Sequence, residues 1–452
     1  MNSKTKFTSP FPPLQLSEND GERLDQLAHL FMCKNIAQYE AFLEQRDGQQ
    51  HHIDDHAWKL VKQRERIRVY SERTKNLNYG EDTTSRYTDS DSSSSATKTA
   101  PPLNRSNSNA VSSAATPDLP VMLVVGAVEG TLDDMMYGVV NHTLEDMRVK
   151  SAYVRDNVGD GAVLATLATP THENPFQSFT IKWMENEQMH VLRPMVRNRD
   201  FVYMESTGIT NLSSGERIGF HLLHSVHFPQ THELASRVRG NLSICGIYRQ
   251  IPGTNDVDVH ITGILNPGGN LMRAVVVKAA ADALVSVWKN VECAHMKKLT
   301  WLLRTMRRSF SNASDTSSGK SGSEVGCCTT CKKAPSSFAV SVLGDLRKRK
   351  CNLCWKYVCS SCRIKKTLSH VNAPSGRLRQ REFPFCGACI KEATTSNAFM
   401  VAQREFASVD LLSDLFATNQ SEQILSMDGG SHSSSNPLAE SMITNETGAF
   451  SS

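Results

Sequence analysis

Four pairs of cysteines crowded toward the carboxyl end of the chain constrain its fold more than any other feature. Eight of the twelve cysteines in the 452 residues form four Cys-x2-Cys pairs. Each pair presents two thiolates from one tight turn, and Zn²⁺ prefers four such ligands in a tetrahedron. The spacing therefore predicts two closed, all-cysteine zinc sites, with two Zn²⁺ ions per chain. The eight predicted ligands are Cys328, Cys331, Cys351, Cys354, Cys359, Cys362, Cys386 and Cys389.

The amino terminus argues against the alternative that these cysteines form disulfides. Residues 1–13 contain lysines and prolines but no apolar core of about seven residues, which a secretory signal would require. The longest apolar stretch, Ala274–Trp288, is interrupted by Lys278 and Asp282 and is shorter than the roughly 20 residues of a membrane-spanning helix. We therefore expect a cytoplasmic protein whose cysteines stay reduced and available for metal.

Charge is distributed unevenly along the chain. The whole sequence carries a net charge of only +4, so bulk charge predicts no nucleic-acid partner. Residues 327–391, however, contain 14 Lys or Arg and two acidic residues, a net charge of +12. The densest part is the run Arg347, Lys348, Arg349 and Lys350, directly before a predicted zinc ligand. Because such cations make charge-assisted hydrogen bonds to phosphates, we predict that these four residues contact an anionic membrane surface or another polyanion.

The cysteine segment resembles one family of two-zinc modules. RING and PHD fingers usually include histidine among their ligands, whereas this segment is all cysteine, with residues 355–358 between its second and third pairs. Together with the basic run, this makes residues 325–393 similar to FYVE-type fingers. The resemblance implies a cross-brace of two zinc sites. One site would consist of Cys328, Cys331, Cys359 and Cys362, and the other of Cys351, Cys354, Cys386 and Cys389.

The segment departs from the FYVE pattern where that family recognises its headgroup. Two histidines precede the third cysteine in fingers that bind phosphatidylinositol 3-phosphate, and here Arg349 and Lys350 replace them. The Trp-x-x-Asp lead is absent from residues 321–326, and residues 383–385 read Phe-Pro-Phe where the family ends in Arg-Val before the cysteine. We therefore expect binding to acidic phosphoinositides with poor discrimination among their headgroups.

Apolar residues ahead of the basic run suggest a second membrane contact. Val340, Val342, Leu343 and Leu346 lie in a finger that offers little core of its own. One interpretation is a loop that inserts into the bilayer. The alternative is that these side chains pack on the zinc sites, and the sequence does not decide between the two.

Hydrophobic periodicity predicts an α+β domain before the finger. Apolar residues recur at helical spacing from Glu18 to Phe42, and strand-like runs separated by Gly, Asn and Pro turns follow between 58 and 265. The helical period returns from Met272 to Leu303, which predicts one long C-terminal helix in the curl of an antiparallel sheet. Between 83 and 117, 16 of 35 residues are Ser or Thr, which predicts a disordered insertion.

Most of residues 20–305 resemble a START-like lipid-transfer domain. The resemblance rests on Trp183 and on the segments 198–203, 239–241 and 266–269. It implies a helix-grip fold whose cavity holds a hydrophobic ligand. The candidate cavity residues are Trp183, Arg199, Asp200 and Tyr203. The alternative is that the aromatic residues are ordinary sheet core and that the Arg–Asp pair is a surface ion pair worth under about 1 kcal/mol.

The resulting domain plan has six parts. They are a disordered N-terminus at 1–17, the START-like domain at 18–308, a linker at 309–324, the FYVE-type finger at 325–393, an amphipathic helix at 394–417 and a disordered tail at 418–452. The helix at 394–417 can dock on the finger or on a partner, and the sequence does not choose.

No motif of a common enzyme class occurs in the sequence, so we expect a non-enzymatic protein. The leading hypothesis is a cytoplasmic, peripheral membrane adaptor that holds a hydrophobic lipid and contacts acidic phosphoinositides. Endosomal membranes are the location that a FYVE-type finger would imply. The rival hypothesis is a protein-interaction adaptor whose diverged finger does not bind phosphoinositide. A RING-type ubiquitin ligase is disfavoured by the all-cysteine ligand set.

Overall fold

A computed structural model describes residues 9–45, 53–73, 119–156, 158–186, 197–313, 327–334, 349–372 and 377–406. We call residues 9–313 the larger domain and residues 327–395 the finger. The predicted insertion at 83–117 and the predicted tail lie outside the described residues. Val340, Val342, Leu343, Leu346, Arg347 and Lys348 also lie outside them.

Helices frame a large sheet in the larger domain and close the finger. The helices are α1 (Glu18–Glu44), α2 (Leu132–Val139), α3 (Leu144–Val154), α4 (Arg273–Leu284), α5 (Asn290–Ala313), α6 (Gly387–Thr395) and α7 at 398–406. The strands are β1 (Trp58–Arg64), β2 (Ile67–Glu72), β3 (Val121–Glu129), β4 (Val158–Ala168), β5 (Ser178–Asn186), β6 (Arg199–Asn211), β7 (Arg217–Ser225), β8 (Val238–Arg239), β9 (Asn241–Gln250), β10 (Asp256–Asn266), β11 (Ile364–Asn372) and β12 (Arg377–Phe385). Among the described helices, none is long and apolar enough to cross a bilayer.

One antiparallel sheet organises the larger domain. Within the described ranges its strands run in the order β1-β2-β3-β10-β9-β7-β6-β5-β4, and the short β8 pairs in parallel with β6. Tight hairpins fix the register, as between β9 and β10, where Gln250 faces Val257 and Asn241 faces Asn266. The predicted fold class, α+β with a curled antiparallel sheet around a long C-terminal helix, is confirmed, although that helix is divided.

Helix α1 covers the outer face of this sheet. It begins after Ser17, whose side chain accepts a hydrogen bond from the Asp20 N–H and completes a capping box. Its buried residues pack against sheet residues such as Ile181 and Met204. Full burial of such a side chain contributes about 1.5–3 kcal/mol. The buried residues of α1 are Leu24, Ala28, Met32 and Tyr39.

The segment before α1 also belongs to the folded domain. The side chains of Phe11 and Leu14 are 3% and 8% exposed and join the core beneath α1. The Leu14 N–H donates to the Leu164 carbonyl at 2.7 Å. Residues 9–17 therefore differ from the disordered N-terminus expected from the sequence, because two apolar side chains without a period leave no pattern to detect.

The long C-terminal helix is divided. A 3-10 turn at Val285–Lys289 separates α4 from α5, and α5 runs to Ala313, into the predicted linker at 309–324. Next to this turn α5 approaches α2 very closely. An ideal Cβ at Gly138 would lie 1.9 Å from the Asn290 carbonyl oxygen, so α2 needs glycine there. The sequence predicted one continuous helix because no Gly or Pro interrupts residues 272–303.

The finger packs directly on α5. Met296, Leu299 and Leu303 of α5 form one core with finger residues such as Leu353 and Phe385. A second contact comes from α3, where the Tyr153 hydroxyl oxygen accepts a hydrogen bond from the Ser369 N–H of β11 at 2.6 Å. The finger and the larger domain therefore share a hydrophobic core.

The chain after the finger returns to the larger domain. Helix α6 ends at Thr395 and α7 follows at 398–406, so the described part of the helix predicted at 394–417 begins with a break. Phe399 packs edge to face on Phe176, with ring centroids 5.7 Å apart. The Tyr137 hydroxyl of α2 donates to Glu405 at 2.7 Å. Helix α7 thus docks on the larger domain, a surface that the sequence had not indicated.

Candidate metal centres and internal cavity

The eight paired cysteines come together as two separate groups. In each group the four sulfur atoms lie within 4.8 Å of one another. The first group joins the first and third pairs, and the second group joins the second and fourth pairs, as the cross-brace predicts. The groups are Cys328, Cys331, Cys359 and Cys362, and Cys351, Cys354, Cys386 and Cys389.

The spacing of the sulfur atoms suits a tetrahedral metal ion. Four thiolates at about 2.3 Å from one ion lie about 3.8 Å apart. The Cys331 and Cys359 sulfur atoms are 3.7 Å apart, and those of Cys354 and Cys386 are 3.9 Å apart. Each group can therefore hold one metal ion without a change in its backbone.

Backbone amides prepare the first centre for thiolates. Although burial raises the pKa of Cys328, hydrogen bonds from the Cys331, Cys359 and Thr330 N–H groups outweigh it and lower the pKa to about 6. Contacts with Cys359 and Cys331 raise the pKa of Cys362 to about 12. Once one sulfur has ionised, its negative charge therefore opposes ionisation of the neighbouring thiols. A cation shared by the four sulfur atoms is most stabilising in such an environment.

The second centre links the finger's turns to its helix. Cys386 is the N-cap of α6, and its sulfur accepts a hydrogen bond from the Cys389 N–H at 3.4 Å. Burial raises the pKa of Cys351, but the N–H groups of Cys354, Cys386 and Leu353 lower it below its usual value. The second cysteine group therefore includes the residue that caps α6, the helix that leads back to the larger domain.

Half of the predicted basic run falls in the described finger. Arg349 and Lys350 directly precede the second cysteine turn. The Val358 N–H donates a hydrogen bond to the Arg349 carbonyl, and Lys350 forms an isolated antiparallel β-bridge with Tyr357. The hairpin of β11 and β12 adds exposed or half-exposed cations that the sequence analysis counted without placing. They are Lys365, Lys366, Arg379 and Arg381.

A partly open cavity of about 230 Å³ lies between the inner face of the sheet, α3 and α4. The sheet supplies apolar walls from β6, β9 and β10, and α4 closes the opposite side. The apolar lining includes Phe201, Tyr203, Leu242, Ile261, Ala283 and Leu284. Small-molecule pockets typically measure about 300–1,000 Å³, so a large ligand requires the walls to move apart.

One end of the cavity is polar. Asn141, Lys150, Glu205 and His221 line it. The Asn141 amide donates to Glu205 Oε1 at 3.1 Å, and His221 Nε2 lies 2.6 Å from the same oxygen. Behind them the buried Lys182 ammonium contacts Glu205 Oε2 and donates to the Asn141 side-chain oxygen at 2.6 Å.

This polar cluster keeps its charges paired. Burial raises the pKa of Glu205, but the Lys182 charge and the His221 hydrogen bond outweigh it and hold that pKa well below its usual value. Burial lowers the pKa of His221. The end of the cavity therefore presents an ionised carboxylate, a neutral imidazole and an amide, groups that can hydrogen-bond a polar part of a ligand.

Of the four residues predicted to line a cavity, Tyr203 is among the lining residues and the other three are not. Side chains alternate along a strand, so Tyr203 and Asp200 point to opposite faces of β6. Trp183 packs beneath α1, and its Nε1–H donates to Asp200 Oδ2 at 3.0 Å. The Arg239 guanidinium contacts the same carboxylate at 2.8 Å.

Arg199 also lies outside the cavity lining, at another part of β6. Its guanidinium contacts the Arg197 carbonyl, next to the edge where β8 joins β6. Asp200 is fully buried and pairs with Arg239, so the predicted Arg199–Asp200 surface pair does not form.

The polar residues that line the cavity were not predicted from the sequence. A signal was present, because Lys182 and Glu205 are opposite charges on two adjacent strands. Their common inward face follows from strand alternation and from the pairing of the two strands.

Among solved structures, the chain is similar to several StAR-related lipid transfer proteins. The chain is similar to human StAR-related lipid transfer protein 5, with 14% identity over 60% of this chain and 99% of that one and a TM-score of 0.35. It is similar to human STARD10, with 13% identity over 66% and 86% and a TM-score of 0.34. It is also similar to a STAR-related lipid transfer protein of Xanthomonas axonopodis, with 16% identity over 52% and 99% and a TM-score of 0.32. No family model and no curated protein matches the sequence.

Proposed function

We propose that this chain is a non-enzymatic, zinc-binding peripheral membrane adaptor. Its larger domain holds a hydrophobic ligand, and its FYVE-type finger contacts membranes that contain acidic phosphoinositides. The observation that carries the proposal is the cavity, whose apolar walls end in the polar cluster of Asn141, Glu205 and His221. Such a cavity suits an elongated apolar molecule with one polar group.

Zinc is the metal that the donor set favours. Four thiolates in a closed tetrahedron suit Zn²⁺, and zinc bound in this way supplies folding energy to a domain too small for a large core of its own. Two ions per chain are expected. Removing them with a chelator should unfold the finger, because zinc sites of this kind contribute about 10–16 kcal/mol.

Native mass spectrometry of the full chain tests metal and ligand together. We expect two zinc ions and a co-purified hydrophobic molecule that denaturation releases. Replacing Cys354 with serine removes a ligand of the second centre and should lower the zinc content. An empty cavity, with no uptake of fluorescent lipid by the folded protein, would contradict ligand binding.

Vesicle sedimentation tests the membrane contact. Changing residues 347–350 to alanine should abolish most binding to vesicles that contain acidic phosphoinositides, with both zinc ions retained. A matched variant that neutralises Arg23, Lys34, Lys59 and Lys278, four exposed cations of the larger domain, removes the same charge elsewhere. Equal loss in the two variants would show that net charge alone drives adsorption, and no loss in the first would favour the protein-interaction hypothesis.

A further inference from the structure

One residue of the finger combines an unfavourable backbone conformation with an exposed aromatic ring. Trp355 follows the second cysteine of its pair with a φ of +58°, and 47% of the residue is exposed. A bulky side chain in the left-handed region is uncommon, because its Cβ crowds the backbone. Glycine adopts this conformation freely.

The turn that carries Cys351 and Cys354 explains the backbone conformation but does not require a tryptophan. The Trp355 N–H donates to the Cys351 carbonyl at 2.9 Å, which closes this turn. Lys332 occupies the same position in the first cysteine pair, with a φ of +60° and a 2.9 Å hydrogen bond to the Cys328 carbonyl. The turn therefore requires the conformation, and it accepts residues as different as lysine and tryptophan.

The turn holds Trp355 on a rigid surface. The Cys351 N–H donates to the Lys356 carbonyl at 2.9 Å, and the Asn352 N–H donates to the Pro384 carbonyl of β12 at 3.0 Å. Both cysteines of this turn belong to the second metal group. The backbone that carries the ring therefore loses little conformational freedom when the ring meets a partner.

The charges around Trp355 identify the kind of partner. Lys350 and Lys356 flank the turn, and residues 349–372 contain six Lys or Arg and no Asp or Glu. Tryptophan is enriched at the level of lipid headgroups, and neighbouring cations are attracted to anionic lipids. A cationic segment that carries an exposed indole therefore complements an anionic membrane.

We propose that Trp355 is a membrane anchor of the finger, inserting its indole at the headgroup level while Lys350 and Lys356 contact anionic lipid. This anchor rests on the membrane contact proposed above and adds a component that is specific to the ring. Charge attraction is screened by salt, whereas insertion of an apolar ring is not. The ring therefore supplies the part of membrane binding that survives raised salt.

Binding of the full chain to phosphatidylcholine vesicles with and without phosphatidylserine, at low and raised salt, tests this anchor. Trp355→Gly removes the ring and relieves the steric strain of the left-handed backbone conformation. The variant should therefore keep both metals and unfold at the same temperature as the wild type or at a higher one. Its partitioning onto the anionic vesicles at raised salt should nevertheless fall about tenfold. Trp355→Phe should retain most of the binding.

Lys332→Gly is the matched control, because it makes the same backbone change in the first cysteine pair. It should leave salt-resistant binding intact. Equal binding of the wild type and Trp355→Gly at raised salt would overturn the anchor and assign the exposed ring to a protein contact. Failure of the wild type to bind any anionic vesicle would instead refute the membrane contact itself.

Discussion

Lys298 gives the sharpest prediction about how the finger is attached. Its ammonium is fully buried between three segments, and it donates to Asp134 Oδ1 at 2.7 Å, to the Thr394 carbonyl at 2.7 Å and to the Ser396 carbonyl at 2.8 Å. The lysine of α5 thereby joins α2 to the carboxyl end of α6. Lys298→Met keeps most of the side-chain volume and removes all three bonds.

The expected loss follows from what the substitution leaves behind. Asp134 is 5% exposed, and without Lys298 its charge keeps only neutral donors such as the Thr131 hydroxyl at 2.8 Å. Removing one partner of a buried ion pair lowers the free energy of unfolding by about 3–5 kcal/mol. We expect the free energy of unfolding to fall by about 3 kcal/mol, because the Thr131 bond remains.

Urea unfolding of the full chain, in buffer that contains zinc, measures this loss. Lys278→Met on α4 is the control, since Lys278 is exposed and its replacement should change stability by less than about 0.5 kcal/mol. Combining Lys298→Met with Asp134→Asn should recover at least about 1 kcal/mol relative to the sum of the single losses. A loss below about 1 kcal/mol for Lys298→Met would mean that the ammonium is solvated and that the attachment depends on apolar packing alone.

Three further predictions test the larger domain. Gly138→Ala forces a methyl group against the Asn290 carbonyl and should destabilise the protein by about 2 kcal/mol in thermal unfolding. Gly21→Ala on α1 is the control. A Cβ at Gly21 would have no atom within 4 Å, so this change should be neutral or stabilising. Trp183→Phe breaks the indole hydrogen bond to the buried Asp200 and should lower the free energy of unfolding by about 1–3 kcal/mol. The content of extracted lipid should stay unchanged, because the ring faces away from the cavity. A loss of lipid would contradict that orientation. Burial raises the pKa of Asp146, but His142, Lys297 and Thr143 lower it from 3.8 to about 2, which stabilises the fold above pH 3.8. Asp146→Asn should therefore lose about 2 kcal/mol near pH 6 in urea unfolding, and the gap to the wild type should shrink by about half near pH 3; a constant gap would argue against titration of this carboxyl.

The parts of the fold that the sequence predicts are those with a local period. The nearly continuous apolar run of β3, from Val121 to Glu129, and the helical spacing in α1 both lie within a single element. The cysteine grouping was also predictable, through a family resemblance carried by spacing. These signals do not depend on the neighbours of an element in space.

The features that the sequence missed depend on distant partners. From the sequence alone, Lys298 is expected to be a solvated lysine on an amphipathic helix. In the structure its burial depends on Asp134, 164 residues earlier, and on two carbonyls almost 100 residues later. The break at Val285–Lys289 contains no Gly or Pro, so only packing can reveal it. Trp183 and Asp200 were assigned to a cavity through the START-like resemblance, and the strand pattern shows two faces without showing which one α1 covers.

The two halves of the divided C-terminal helix have different surroundings, and this difference relates the finger to the cavity. Helix α5 is buried on two sides, with Val291 and Ala294 in the core beside α2 and Leu299 and Leu303 against the finger. Helix α4 lines the cavity but leaves Met272 74% exposed at its N-cap. Three residues of α4 are buried, Val276, Ala280 and Ala281, and Lys62 of β1 pairs with Asp282, so this wall packs on the sheet. The 3-10 turn therefore separates a helix that lines the cavity from a helix that carries the finger.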